Sequence, residues 1–557
     1  MTDRWYWLAA MLAVVLVASG AADSIGAQPA PLERRIDSIF SAVNSTASPG
    51  CSVGADRNGQ PLFRRAYGIA NLETATPFSV TTISESGSTA KQFVAASLVL
   101  LALDGTLSLD DDVAKWVPEV KGVGKRISVR QLLSHTSGLP DRYTLHDVEG
   151  RPAGETDHPN AEVLDIVSHL RELNFDPGED YLYSNTGYIV AVAVLERASG
   201  KSLDAFTHER IFAPLGMTST RWRQDHRVVV AGRASAYSGT IATGFRNDHP
   251  FTRVFGSGGL LLTVDDMLRW SAAMQNGTGH WAAVRDSMSA VIHLNDGTGI
   301  TYGLGVSTDI WRGVKRVSHT GATGGYRAAL YRFPDQKASV AMFCNLGSVN
   351  LSGLLSGTVT AVLGDALIPA TADTATTIAA TPEALAAFAG RYFAPRTEEL
   401  VILQARNGQL VDSLSDIVYL PVSADRFRGK GSATELLFSR TGESVTMRRS
   451  SPASRAVDYA RVAAPNASKA VLASLVGVYA SPELGARTTL VAHGDSLLID
   501  LGWRGLRALT PLFLDGFSSD GDGSRYRFTR DRSGHVTGFV IWADRVRHLR
   551  FERQVAR

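Results

Sequence analysis

One short segment occurs twice in the last third of the chain. Leu385-Ala-Ala-Phe-Ala-Gly-Arg-Tyr392 returns as Leu472-Ala-Ser-Leu-Val-Gly-Val-Tyr479. In both copies alternating apolar and polar residues follow: 400–403 then 408–411 in the first, 489–491 then 496–499 in the second. Alternation of that kind puts every second side chain on one face, which is the pattern of a strand rather than a helix. Two copies are too few for a solenoid, so each reads as an appended antiparallel β-barrel or sandwich. The expected modules are 383–465 and 466–557.

Upstream, the Pro-, Thr- and Ala-rich stretch 369–382 has linker composition and closes a larger unit, 28–368. That unit opens with a hairpin between Ser52 and Asn71 that turns at Asn58-Gly59. Helical stretches and loops alternate over 84–345, and strands are expected at 316–318, 326–333 and 338–344. Hairpin first, helices between and antiparallel strands last predict an α+β domain whose sheet joins both ends of the unit.

The extreme N-terminus carries Arg4, an apolar run from Trp5 to Val17, and then small residues through Ala27. This is the layout of a secretory signal peptide over 1–27, and the run is shorter than the ~20 residues a membrane span needs. A periplasmic or secreted protein is expected. The 56 basic and 54 acidic residues leave a formal charge of +2, which gives no basic excess for nucleic acid or anionic membranes. Two cysteines, Cys51 and Cys344, are too few for a disulfide scaffold or a cysteine-built zinc site. Two buried free thiols are the expected state, although an oxidising compartment permits a bridge.

Three local motifs carry chemistry. In Ser88-Thr-Ala-Lys91, ahead of the apolar run 93–103, a helix beginning near Ser88 sets Lys91 one turn further on the same face. An amine in apolar surroundings has a lowered pKa and can accept the serine proton. In Tyr183-Ser-Asn185 a phenol and an amide two residues apart point the same way in an extended segment. In His319-Thr320-Gly321, followed by Ala322, the glycine allows close backbone approach at a strand end. Gly50-Cys-Ser-Val-Gly54 matches the nucleophile-elbow pattern, but that motif needs a strand-turn-helix context and Ser52 enters a hairpin. No metal or organic cofactor is implied.

The ordered set Ser-x-x-Lys, Tyr-x-Asn, (Lys/His)-Thr-Gly resembles the penicillin-recognising serine hydrolases, especially the class C β-lactamase-like branch. Residues 103–111, Leu132-Leu-Ser-His-Thr-Ser-Gly-Leu-Pro140, Gly258-Gly-Leu260 and Tyr302-Gly-Leu-Gly305 resemble its framework segments. The resemblance implies a β-lactamase/penicillin-binding-protein-like transpeptidase fold: a five-stranded antiparallel sheet flanked by helices, plus a helical subdomain. It implies Ser88 as nucleophile, Lys91 as proton acceptor and Tyr183 as proton shuttle. Asn185 would hold the substrate amide, and the backbone N–H groups of Ser88 and Ala322 would form the oxyanion hole. His135 is assigned to the framework.

The chain departs from most β-lactamases at His319, where a permanent ammonium would attract a substrate carboxylate; a histidine is shorter and mostly neutral above pH 7. His-x-Gly followed by two barrel modules is similar to the bacterial D-aminopeptidases, in which a loop of the last barrel narrows the site. The stretch 515–523 is expected to be that loop, with Asp515, Asp520 or Asp522 holding the substrate ammonium. The substrate is then a small peptide, amide or ester, and a homodimer is allowed. Esterase, broad amidase and β-lactamase or DD-carboxypeptidase activity are alternatives on the same scaffold. A non-catalytic penicillin-binding receptor is the non-enzymatic one.

Overall fold

The computed structural model describes residues 31–152, 156–369, 377–442, 444–502, 505–520 and 523–554. The expected signal peptide and much of the expected linker lie outside them. Among the described residues no helix is long and apolar enough to cross a membrane.

Asn58 and Gly59 both have positive φ (52° and 74°), the conformation of a two-residue hairpin turn. They join β1 (Cys51–Arg57) to β2 (Gln60–Tyr67). The other strands of this sheet come from the end of the same unit: β3 (Ser307–Trp311), β4 (Val314–Thr323), β5 (Tyr326–Phe333) and β6 (Ala338–Cys344). All neighbours are antiparallel, in the order β3-β4-β5-β6-β1-β2. The sheet therefore has six strands, not five: residues 307–311 pair along β4 and add an edge.

The two-residue period sorts the sheet's side chains onto two faces. Val340 and Met342 join Ile36, Phe40, Leu355 and Val359 around α1 (Leu32–Ile39), while Ala341 and Phe343 join the larger core on the opposite face. That larger core is organised by α2 (Lys91–Leu103) and α3 (Asn185–Ser199), most of whose residues are buried. Helices apolar on every side belong at the centre of a domain, and these two carry the motifs to it.

Cys51 and Cys344 are paired across β1 and β6, and their sulfurs form a disulfide. The free-thiol expectation is corrected here, because direct cross-strand neighbours bring the two Cα atoms to 4.0 Å. Ser52 lies buried within β1, which removes the nucleophile-elbow reading.

Each repeat forms a closed antiparallel barrel of eight strands. The echo in sequence is an echo in structure. A short helix, Pro382–Ala386 or Lys469–Leu475, leads into the first strand, and the tyrosine there bonds back four residues. Tyr392 donates to the Phe388 carbonyl at 2.9 Å and Tyr479 to the Leu475 carbonyl at 2.7 Å. In each barrel an arginine of the last strand, Arg461 or Arg553, donates to carbonyls beside the entry helix.

The barrels dock on the catalytic-type unit through charged and polar groups. Asp180 accepts from Arg396 of the first barrel (2.8 Å) and Arg547 of the second (3.3 Å). Glu179 accepts from Arg455 at 2.8 Å. Buried Asn174 donates to the Arg545 carbonyl (2.9 Å) and accepts from the Arg547 N–H (2.7 Å).

Candidate active site

A tight turn at Gly87–Ala90 feeds directly into α2. It places Ser88 at the positive end of the helix dipole. The strand β4 crosses immediately beside it. A Cβ on Gly321 would lie 2.0 Å from the Ser86 carbonyl and 3.0 Å from the Ser88 nitrogen, and one on Gly87 would lie 2.6 Å from the Ala322 nitrogen. Both positions require glycine. Gly321 thus admits the chain's own nucleophile turn, where the motif suggested room for substrate backbone. The same approach sets Ser88 and Ala322 side by side on the cleft wall.

Lys91 is completely buried. Its Nζ lies 2.6 Å from the Ser257 carbonyl, 2.8 Å from Asn185 Oδ1 and 3.1 Å from Ser88 Oγ. Burial holds the ammonium pKa well below the ordinary lysine range; Asp141 opposes this, and Arg545 and Arg142 reinforce it. A neutral amine has two N–H donors and one lone pair. The carbonyl and the amide oxygen accept the two donors, which leaves the lone pair for the Ser88 hydroxyl.

Asn185 is the first residue of α3, with Ser184 as the N-cap; the motif had been expected in an extended segment ahead of the helix. Its amide donates to Asp141 at 2.8 Å and its backbone N–H donates to the same oxygen at 2.6 Å. That fixes Oδ1 toward Lys91. The buried Tyr183 ring lies 4.7 Å from Lys91 Nζ and 4.9 Å from the Arg545 guanidinium carbon. Burial raises the phenol pKa far above its usual value, partly offset by the nearby Ser88 hydroxyl. The phenol oxygen faces Ser88 without closing a well-directed hydrogen bond. His135, at φ 59°, packs against the Tyr183 ring at 4.0 Å and accepts from the Ser184 N–H at 3.1 Å. It is a positioning group for the tyrosine.

His319 is nearly buried, and burial followed by the charge of Lys91 lowers its pKa to about 3. Its Nδ1 lies 2.6 Å from the Thr320 carbonyl and therefore donates; its Nε2 accepts from the Tyr302 hydroxyl at 2.9 Å. Both ring nitrogens are occupied, so His319 is a neutral wall of the cleft. Ser88, Tyr183, Asn185, His319, Thr320, Gly321 and Ala322 all line one open cleft.

Two of the three aspartates expected to join them, Asp515 and Asp520, do not. Asp515 is held by Arg530 at 2.7 Å, and the adjacent Leu512 and Phe513 pack on Phe393 and Leu400 of the first barrel. Asp520 accepts from Thr510 at 3.2 Å, and Asp522 lies outside the described residues. This hairpin is committed to barrel–barrel packing. A different turn reaches the cleft, between the last two strands of the second barrel, Val536–Ala543 and Val546–Arg553, and its tip is Arg545.

Ser257, Asp141, Tyr302 and Arg545 fall outside the three motifs. Ser257 and Asp141 immediately adjoin segments read as framework, Gly258–Leu260 and the stretch ending at Pro140; Tyr302 lay inside a third. Nothing local marks Arg545. Outside the cleft lining, His146, His158 and Glu162 bring ligand-type atoms within 4.8 Å of one another. The two rings stack at 3.8 Å, and Nδ1 of each is already paired, with Glu149 and Glu162.

Residues 36–364, more than half of the chain, match the family model described as Beta-lactamase. The chain is 29% identical over 314 residues to a D-aminopeptidase of Cereibacter sphaeroides, covering 56% of this chain and 59% of that protein. It thus spans less than two thirds of the length of this relative. A D-aminopeptidase of Brucella anthropi is 24% identical over 521 residues, 91% of this chain and 95% of that one. Among solved structures, the octameric penicillin-binding protein homologue from Pyrococcus abyssi shares the fold, with a TM-score of 0.53 and 22% identity over 77% of this chain and 99% of that chain.

Proposed function

Because the chain belongs to the Beta-lactamase family, we propose that it is a serine hydrolase that cleaves amide or peptide bonds through an acyl-enzyme on Ser88, releasing D-amino acids from short peptides or amides. The observation that carries this reading is the setting of Lys91: a fully buried amine whose charged form burial disfavours, 3.1 Å from Ser88 Oγ, with the Ser257 carbonyl and Asn185 Oδ1 as its other partners. Lys91 takes the Ser88 proton as Oγ attacks the carbonyl carbon. The backbone N–H groups of Ser88 and Ala322 hold the oxyanion, a role commonly worth ~2.7–4 kcal/mol per donor. Tyr183 passes its proton to the leaving nitrogen as the C–N bond breaks and is reprotonated from Lys91. Water then repeats the attack and returns Ser88 to its starting state.

The D-amino acid specificity is supported by the relatives, whose names describe D-aminopeptidases. The same reading includes export, supported by the pattern of residues 1–27 and by the Cys51–Cys344 bridge, which suits an oxidising compartment. Hydrolysis of D-alanine p-nitroanilide, L-alanine p-nitroanilide and p-nitrophenyl acetate by wild type and Ser88→Ala tests it. The D-anilide should be the best amide substrate, and Ser88→Ala should lose at least about 10³-fold in kcat. Turnover of the acetate alone would replace the peptidase by an esterase. A stable adduct on Ser88 with no turnover would make the protein a receptor.

A further inference from the structure

We propose that Arg545, delivered into the cleft by the second barrel, is the receptor for a carboxylate on the leaving-group side of the substrate. The preferred substrates are then short peptides with a free C-terminal carboxylate one residue beyond the scissile bond. The inference rests on the amide-hydrolase reading above and supplies its missing selectivity.

The charge of the cleft is the first ground. Among its described lining residues there are two arginines, Arg327 and Arg545, and no aspartate or glutamate. A substrate carboxylate therefore meets no like charge on these walls. His319 does not serve as a cation: it is buried against Tyr302 and the Thr320 carbonyl, and burial lowers its pKa to about 3. Arg327 is turned to its own strand and donates to the Gly324 and Tyr326 carbonyls.

The state of Arg545 is the second ground. Its guanidinium makes no hydrogen bond among the described residues. Its two carboxylate neighbours are Asp544 at 3.7 Å and Asp141 at 4.0 Å. Asp141 is already engaged by Asn185 through two bonds and by the Tyr143 N–H. The side chain remains 35% exposed. Five donors in a fixed fork at the mouth of a partly desolvated cleft match a carboxylate bidentately.

Position is the third ground. The Arg545 carbonyl accepts from Asn174 (2.9 Å) and from the Asp141 N–H (3.3 Å), so the backbone of the tip is held on the catalytic-type unit. The guanidinium carbon lies 4.9 Å from the centre of the Tyr183 ring, and Tyr183 is the group assigned to protonate the departing nitrogen. One residue of extended chain spans at most ~3.6 Å. Arg545 and Tyr183 line the same cleft, and a carboxylate one residue past that nitrogen is assigned to Arg545.

The test compares D-alanyl-glycine with D-alanyl-glycinamide, identical except for the terminal charge. Wild type should favour the acid by about tenfold or more in kcat/KM, chiefly through KM. In Arg545→Ala the ratio should fall to about one, and Arg545→Lys should restore part of it. A folding defect would lower both rates together and leave the ratio unchanged. A wild-type ratio near one, or a ratio that survives Arg545→Ala, overturns the inference. Calorimetric binding of both peptides to Ser88→Ala, with and without Arg545→Ala, separates it from the proposed reaction. Equal binding of acid and amide sinks the receptor while hydrolysis stands. Arg545-dependent binding of the acid without wild-type turnover keeps the receptor and sinks the hydrolase.

Discussion

At the scale of single residues, the site works by keeping charge off the groups that react. Burial penalises the charged forms of both Lys91 and His319 and lowers both pKa values. The acid limb of kcat/KM therefore reports Lys91. Activity is lost as pH falls through the lysine pKa, and the midpoint should lie well below the ordinary lysine range near 10.4. His319 contributes no limb between pH 5 and 8, so His319→Asn should leave that midpoint in place. Arg545→Ala removes a cation that holds the Lys91 pKa down, so the limb should move to higher pH. Rate profiles on D-alanine p-nitroanilide check all three signs. Ser88, Lys91 and Tyr183 could be read in the sequence because each sits in a spacing that its chemistry requires. Arg545 could not, since its meaning comes from a contact with Tyr183, and no periodicity links residues so far apart in the chain.

Between residues and the molecule lie the strands and turns that position them. The β1–β2 hairpin was legible because Asn-Gly demands its turn, and the barrels because the repeat doubled a weak strand signal. The added strand β3 was not: Ser307–Trp311 alternates poorly and gains its place only by pairing with β4. The choice of hairpin that enters the cleft was also hidden. Two turns of the second barrel carry an aspartate at positive φ, Asp515 and Asp544, and only packing partners distinguish them. Asn174 makes that choice by bonding the Arg545 carbonyl and the Arg547 N–H. Asn174→Ala should cost about 1–3 kcal/mol through the bonds it leaves unmade, read by urea unfolding. It should also lower the acid-to-amide preference, because the tip that carries the arginine loses its anchor.

For the whole molecule, a few buried or half-buried charges hold three units together. Asp180 is the common point, paired with one arginine from each barrel. Asp180→Ala leaves Arg547, 7% exposed, with only its longer pair to Glu399 at 3.8 Å. The loss should be about 1–3 kcal/mol, visible as a lower midpoint in denaturant, with looser docking of both barrels at once. By contrast Lys469→Ala, which breaks an exposed pair with Asp495, should change stability by less than about 0.5 kcal/mol.

The bridge between Cys51 and Cys344 has a further consequence for how this protein endures damage. It staples the first and last strands of a unit across a sequence separation of 293 residues, and the chemical groups of the cleft in this unit lie almost entirely within that covalent loop. A protease nick in any exposed turn between the two sulfurs leaves one connected molecule. Electrophoresis after limited digestion should show an intact band without reductant and two fragments with it.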